Sequence, residues 1–177
     1  MSSSIESGPR SARLKSLEAW PGLDGLVAAQ AASGSYWFLG RNDYRRLSKL
    51  AESWAAPDDP VRQLLAAKVN RGIVCDPDQL PSDVATIGAR VKFRIGNDTE
   101  TCVITEPAAT QDVRDSIPVV SRLGALLLGM LEGRSLRGQG PDGTAFTISV
   151  ETVVPAEASP ISAAAGTDLQ ADVVPGA

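Results

Sequence analysis

The sequence predicts an α+β protein, with an antiparallel helical hairpin followed by an antiparallel β-sheet domain that has one helix packed across it. Three observations carry this. Tyr44, Leu47, Ala51 and Trp54, then Val61, Leu64, Leu65 and Lys68, recur at spacings of three and four. Residues 89–106 and 144–154 alternate apolar and polar side chains. Between those two stretches Leu123, Leu126, Leu127 and Met130 return to helical spacing. With 177 residues, 43% of them apolar and 21% charged, the chain suffices for one domain of ordinary size with tails.

Residues 1–41 read as a flexible arm. Met1 to Pro9 is rich in Ser, Gly and Pro. A helical turn or two over Ala12–Trp20 is interrupted by Pro21, Gly22 and Gly25, and Trp37 and Phe38 are apolar enough to dock on the body. The hairpin occupies 42–72. Asn42 or Asp43 is the expected N-cap of its first helix and Pro57 its stop; Asp59-Pro60 opens the second, and Gly72 ends it. The arms are about 14 and 11 residues, roughly 15–20 Å each at about 1.5 Å per residue. The Lys68 stem is expected to lie along apolar surface.

The sheet domain spans 73–154. A Pro- and Asp-studded crossing loop (75–83) leads to strand Ala89–Ile95, in which Val91, Phe93 and Ile95 face one way and Arg90, Lys92 and Arg94 the other. Gly96-Asn97-Asp98 is a hairpin turn signal, and Thr99–Glu106 returns with Cys102 and Ile104 on one face. A polar loop (107–117), a buried helix (Ser121–Leu131), a short strand from Ser135, the turn Pro141-Asp142-Gly143 and a long strand (Thr144–Val154) complete it. Residues 155–177, rich in Ala, Pro, Gly and Ser, read as a disordered acidic tail.

Composition excludes several chemistries. Without histidine there is no Ser–His or Cys–His nucleophile pair, no His-ligated metal and no His general acid–base work. Two cysteines, Cys75 and Cys102, make neither a four-thiolate zinc site nor a disulfide scaffold, which points to a reducing cytosol and a cytoplasmic protein. No apolar run spans a bilayer and no signal-peptide pattern opens the chain, so no membrane partner is expected. Residues 151–177 hold Glu151, Glu157, Asp168 and Asp172 and no base, and the other 150 residues carry 17 acids and 17 bases. A neutral body argues against nucleic-acid binding by bulk electrostatics.

The stretch from Leu80 to Arg94 (LPSDVATIGARVKFR) resembles the opening of the C-terminal domain of Gre-type transcription elongation factors, and most of all their Rnk-type members. Leu123 to Gly133 (LGALLLGMLEG) is similar to that family's P-[VL]-G-x-A-L-L-G-x-x-x-G-D element. The Pro141-Asp142-Gly143-Thr144 turn and the strand Ile148–Val153 fit as well. The resemblance covers residues 42–154, with three elements in the right order and spacing. It departs at Arg122, where the family has proline, and at Arg134, where it has aspartate; the arm and tail have no counterpart.

The resemblance implies an FKBP-like sheet domain and RNA polymerase as partner. In Gre factors the globular domain grips the rim of the secondary channel, and a long coiled coil carries two tip acids to the catalytic metal. Rnk-type members have a shorter hairpin and act without cleavage. Asp58 and Asp59 at the hairpin tip are the candidates for a Gre-like acidic tip that helps hold Mg²⁺. The alternative is that Asp59 caps the second helix and Asp58 is solvated. Reach favours capping, since an arm of roughly 20 Å is about half a Gre coiled coil. By the same resemblance Ser121, Arg122 and Leu123 form the partner-binding loop, although Ser121 also reads as an N-cap. Arg90, Lys92 and Arg94 form a basic ladder suited to an acidic partner surface; with no interleaved aromatic to stack bases, nucleic acid fits it less well.

The expectation is therefore a non-enzymatic, monomeric regulator without cofactor or bound metal. It would dock near the polymerase secondary channel and act by occupancy or by competition with Gre factors. A transcript-cleavage factor using Asp58 and Asp59 is the alternative. A prolyl isomerase is disfavoured because Phe93 and Phe146, the only aromatics of the sheet domain, belong to its core.

Overall fold

The computed structural model describes residues 10–107 and 115–156. The expected disorder of residues 1–9 and of the tail from 157, and most of the expected polar loop, lie outside this range. The described chain begins with helices α1 (Arg10–Glu18) and α2 (Gly22–Ala32), which corrects the irregular chain read for the arm. Gly25, inside α2, costs the helix about 1 kcal/mol relative to alanine. Leu23, Leu26 and Val27, spaced along one face of α2, are fully buried, and each contributes roughly 1.5–3 kcal/mol. Burial outweighs propensity, and Pro21 becomes the corner between the helices rather than the end of order. Trp20 seals that corner edge-on against Phe146, with ring centroids 4.3 Å apart.

Next come β1 (Phe38–Gly40), α3 (Arg41–Ser53), α4 (Pro60–Arg71) and β2 (Ile73–Cys75). The α3–α4 pair is the expected hairpin. Its first helix ends at Ser53, short of the expected stop at Pro57, and the cap of α3 is Gly40 rather than Asn42 or Asp43. Asp43 has another use. It is buried in the first turn of α3 and accepts the Ile87 backbone N–H at 3.0 Å, tying the hairpin to the approach of the sheet domain. Burial holds its carboxyl above the usual range. The flanks of the hairpin pair in parallel, Phe38 with Ile73 and Gly40 with Cys75, so the expected crossing loop starts as a strand. Helix α4 packs on α2 and α5 as well as on α3, and the hairpin is therefore embedded along one side rather than free-standing.

The sheet is built from β3 (Arg90–Ile95), β4 (Asp98–Thr105), β5 (Ser116–Pro118), β6 (Ser135–Gln139) and β7 (Ala145–Val154), in the order β5-β4-β3-β7-β6. All neighbours are antiparallel except β4 and β5. That parallel edge departs from the expected all-antiparallel sheet. Parallel neighbours need a return connection rather than a tight turn, and here residues 106–115 separate the two strands in sequence. The β3–β4 turn has Gly96 at φ 59° as the first of two turn residues, a conformation glycine adopts without steric cost. Val91, Phe93 and Ile95 on β3 and Phe146, Ile148 and Val150 on β7 face the core. Cys102 joins them as a small inert side chain, its thiol pushed by burial up to about 12.

Helix α5 (Arg122–Leu127) lies over the buried face beside α2, so two helices, not one, cover it. It is also shorter than the pattern predicts. Leu128 leaves the helix and Gly129 takes φ 79°, yet Leu128 and Met130 remain buried. The segment exchanges helical bonds for pairing with Val84–Ala85. Gly129 N–H donates to the Ala85 carbonyl at 2.8 Å, and Ala85 N–H to that of Met130 at 2.9 Å.

Candidate partner-binding surfaces

At the hairpin tip the Asp59 carboxylate accepts the N–H groups of Val61 at 2.8 Å and Arg62 at 3.3 Å. Both belong to the first turn of α4, where backbone donors lack intrahelical acceptors. Asp58 is exposed. The two acids therefore sit side by side in sequence, but one is committed to a cap. Among the described residues no group of three or more His, Cys, Asp or Glu side chains is placed to hold a metal ion.

Arg90, Lys92 and Arg94 stand in one row on the solvent face of β3, each exposed. Glu151 of the neighbouring β7 lies between the last two, 3.4 Å from Lys92 Nζ and 2.7 Å from Arg94. Arg90 has no ion-pair partner among the described residues. Around them the face carries hydroxyls such as Thr99, Thr101 and Ser149, aligned with the ladder by register.

The structure places Ser121, Arg122 and Leu123 at the start of α5. Ser121 Oγ accepts Gly124 N–H at 3.0 Å and donates to the Pro118 carbonyl at 2.8 Å, the capping role the sequence suggests. Leu123 is fully buried. Arg122 is engaged from within: its Nε meets Asp24 of α2 at 2.9 Å, and its guanidinium donates to the Glu18 carbonyl at 3.0 Å. The Glu18 carboxylate at the end of α1 accepts the N–H groups of Arg122 at 2.6 Å and Leu123 at 2.9 Å. Sequence reasoning missed Glu18 and Asp24, because a contact across some hundred residues leaves no periodic trace.

A second missed group is Lys68. Rather than running its stem along a surface, it is fully buried. Its ammonium donates to the carbonyls of Leu126 (3.2 Å) and Leu128 and lies 5.2 Å from the Trp37 ring centroid. It thus terminates α5 from α4. Burial pushes it down to about 7. The available signal was a lysine on the apolar stripe of a helix. Glu100 is the third: on the core face of β4 and 6% exposed, it is met by Arg13 of α1 at 3.0 Å, while Arg13 also reaches Asp98 at 3.3 Å.

Comparison with known proteins places this arrangement. No family model matches the chain. In three dimensions it is similar to the prokaryotic transcription elongation factor GreA/GreB from Nitrosomonas europaea, with a TM-score of 0.56 and 24% identity, over 68% of this chain and 99% of that one. The fold is therefore that of the Gre-type factors. In sequence it is 36% identical, over 110 residues, to the regulator of nucleoside diphosphate kinase of Escherichia coli strain K12, covering 61% of this chain and 81% of that protein. The Shigella flexneri protein of the same name matches equally. The chain belongs to the family of the regulator of nucleoside diphosphate kinase, the Rnk type of the sequence resemblance.

Proposed function

We propose that the protein is an RNA polymerase-binding transcription regulator of the Rnk/Gre type, docking near the secondary channel and acting by occupancy or by competition with Gre factors. The observation that carries this is the hairpin. Its arms are 13 and 12 residues long, about 20 and 18 Å at 1.5 Å per residue. The second arm is packed against α2 and α5, and the tip acid Asp59 is used as a helix cap. A carboxylate must approach Mg²⁺ to about 2 Å to ligate it. A short, half-embedded hairpin supports plugging an entrance without chemistry. The five-stranded, mainly antiparallel sheet with α5 on its buried face supports the FKBP-like domain as the gripping part.

The docking surface comprises Ser121, Arg122 and Leu123 together with Arg90, Lys92 and Arg94. The ladder supplies charge complementarity and steering toward an acidic surface. The protein works in the cytoplasm; among the described residues no helix is long and apolar enough to cross a membrane.

The test is co-purification with bacterial RNA polymerase, then displacement of a Gre factor from it. The expected outcome is binding at micromolar concentration or tighter, and suppression of Gre-stimulated RNA cleavage in a backtracked complex. Shortening of the RNA by this protein alone, lost when Asp58 and Asp59 are both changed to Ala, would establish the cleavage reading instead.

A further inference from the structure

We propose that α1 is a displaceable plug seated in a helix-binding cradle over the Ser121–Leu123 segment, and that a helix of the partner, carrying a cation and a carboxylate in the same order, takes its place. This rests on the docking reading above and adds how that surface is opened.

The cradle has three parts. At one end the Glu100 carboxylate is buried on β4, and its charge is met at 3.0 Å by Arg13 Nε of α1. In the middle Leu14 is buried and Leu17 packs against the same core. At the other end Glu18 holds the backbone N–H groups of Arg122 and Leu123. Cation and carboxylate are five residues apart on α1, about 7.5 Å along its axis, with the two leucines between them.

Helices α1 and α2 are not equivalent. The second is built into the core through Leu23, Leu26 and Val27. The first contributes Leu14 fully and Leu17 in part, while its Arg13 is half-exposed and the neighbouring acid Asp98 more so. A nine-residue helix does not persist alone in water, so α1 is a helix only while seated, and leaving the cradle melts it. Its departure strips a buried carboxylate of its cation and two N–H groups of their acceptor, and buried polar groups left without partners are costly. An empty cradle is therefore unfavourable, and the favourable exchange is with another helix that restores both charges. The tether gives α1 a high local concentration, which keeps the docking segment closed until a surface offering such a helix is at hand.

The test uses the full chain. In the wild type, amide hydrogen exchange across Leu14–Leu17 is expected to be at least about tenfold faster than across Leu26–Val27; equal protection would show α1 to be a fixed part of the core and overturn the plug. A labelled peptide of residues 9–20 is expected to bind the folded double variant Arg13→Glu/Glu18→Gln and to bind the wild type at least about tenfold more weakly, because the resident helix competes. A peptide with the two charges exchanged serves as control. No binding to the variant at about 100 µM, or equal binding by the control, refutes the cradle. For RNA polymerase the variant is expected to bind about tenfold more tightly than the wild type. Equal binding by both overturns the masking. Binding by neither, with the peptide results intact, removes the docking reading and leaves the plug standing.

Discussion

Lys68 occupies a position that Leu64 and Leu65 would lead one to fill with another aliphatic residue. Its ammonium is buried, and the cost shows in its titration near 7, against about 10.4 for an unperturbed lysine. Between about pH 7 and 10 the unfolded chain therefore binds the extra proton, and stability rises with pH across that window; below 7 the group is charged in both states and the full cost of burying it remains. The urea midpoint of the wild type is expected to climb from pH 7 to pH 9.5, and Lys68→Met to flatten that climb. An equally steep climb in the variant would assign it to other groups. At the hairpin tip, Asp59→Ala is expected to cost about 1 kcal/mol, the usual loss of an N-cap, and Asp58→Ala less than about 0.5 kcal/mol, as for an exposed residue. Thermal denaturation of the two variants decides between a cap and a pair of equivalent tip acids.

At the scale of elements, two glycines set where chain segments turn. Gly96, at φ 59°, has open space where a Cβ would stand, whereas a Cβ on Gly129, at φ 79°, would meet the Phe38 carbonyl at 3.0 Å. Both substitutions to alanine incur the left-handed backbone cost of about 1–2 kcal/mol. Gly129→Ala is expected to exceed Gly96→Ala, because it also pushes β1 away from the end of α5; comparable losses in urea denaturation would mean that β1 yields freely. The same position explains why a leucine stripe running to Leu131 yields a helix that ends at Leu127. The hydrophobic pattern reports burial, and Leu128 and Met130 are indeed buried, but burial does not require helix. What ended the helix was a better set of partners for the backbone, Ala85 for Gly129 and Met130, and Lys68 for Leu126 and Leu128.

At the scale of the whole molecule, the distribution of charge bears on the proposed docking to RNA polymerase. The β3 ladder projects away from the core, and its cations are restrained by Glu151 alone among the described acids. Changing Arg90, Lys92 and Arg94 together to Gln is expected to weaken binding to RNA polymerase and flatten its dependence on salt, while folding stability stays within about 0.5 kcal/mol per site. Glu151→Gln is expected to strengthen that binding by releasing two cations. Titrations at two salt concentrations check both; unchanged affinity in the triple variant would remove the ladder from the docking surface. Helices α1 and α2 pack against α5, so that the Ser121–Leu123 segment, which resembles a Gre-type loop, lies against the chain's own N-terminal helices.

By itself the sequence determined the α+β class, the hairpin with its Asp59 cap, the inward and outward faces of β3, β4 and β7, and the capping serine of α5. Each of these is decided within a few residues, by periodicity or by a side chain bonding its own neighbouring backbone. Only the tertiary structure decided that Pro21 and Gly22 join two helices, that Lys68 is buried, that β5 pairs in parallel, and that Glu18 and Asp24 occupy Arg122. Those outcomes depend on groups distant in the chain meeting in space, where burial of leucines or satisfaction of one backbone donor outweighs local preference, and no local pattern encodes such a meeting.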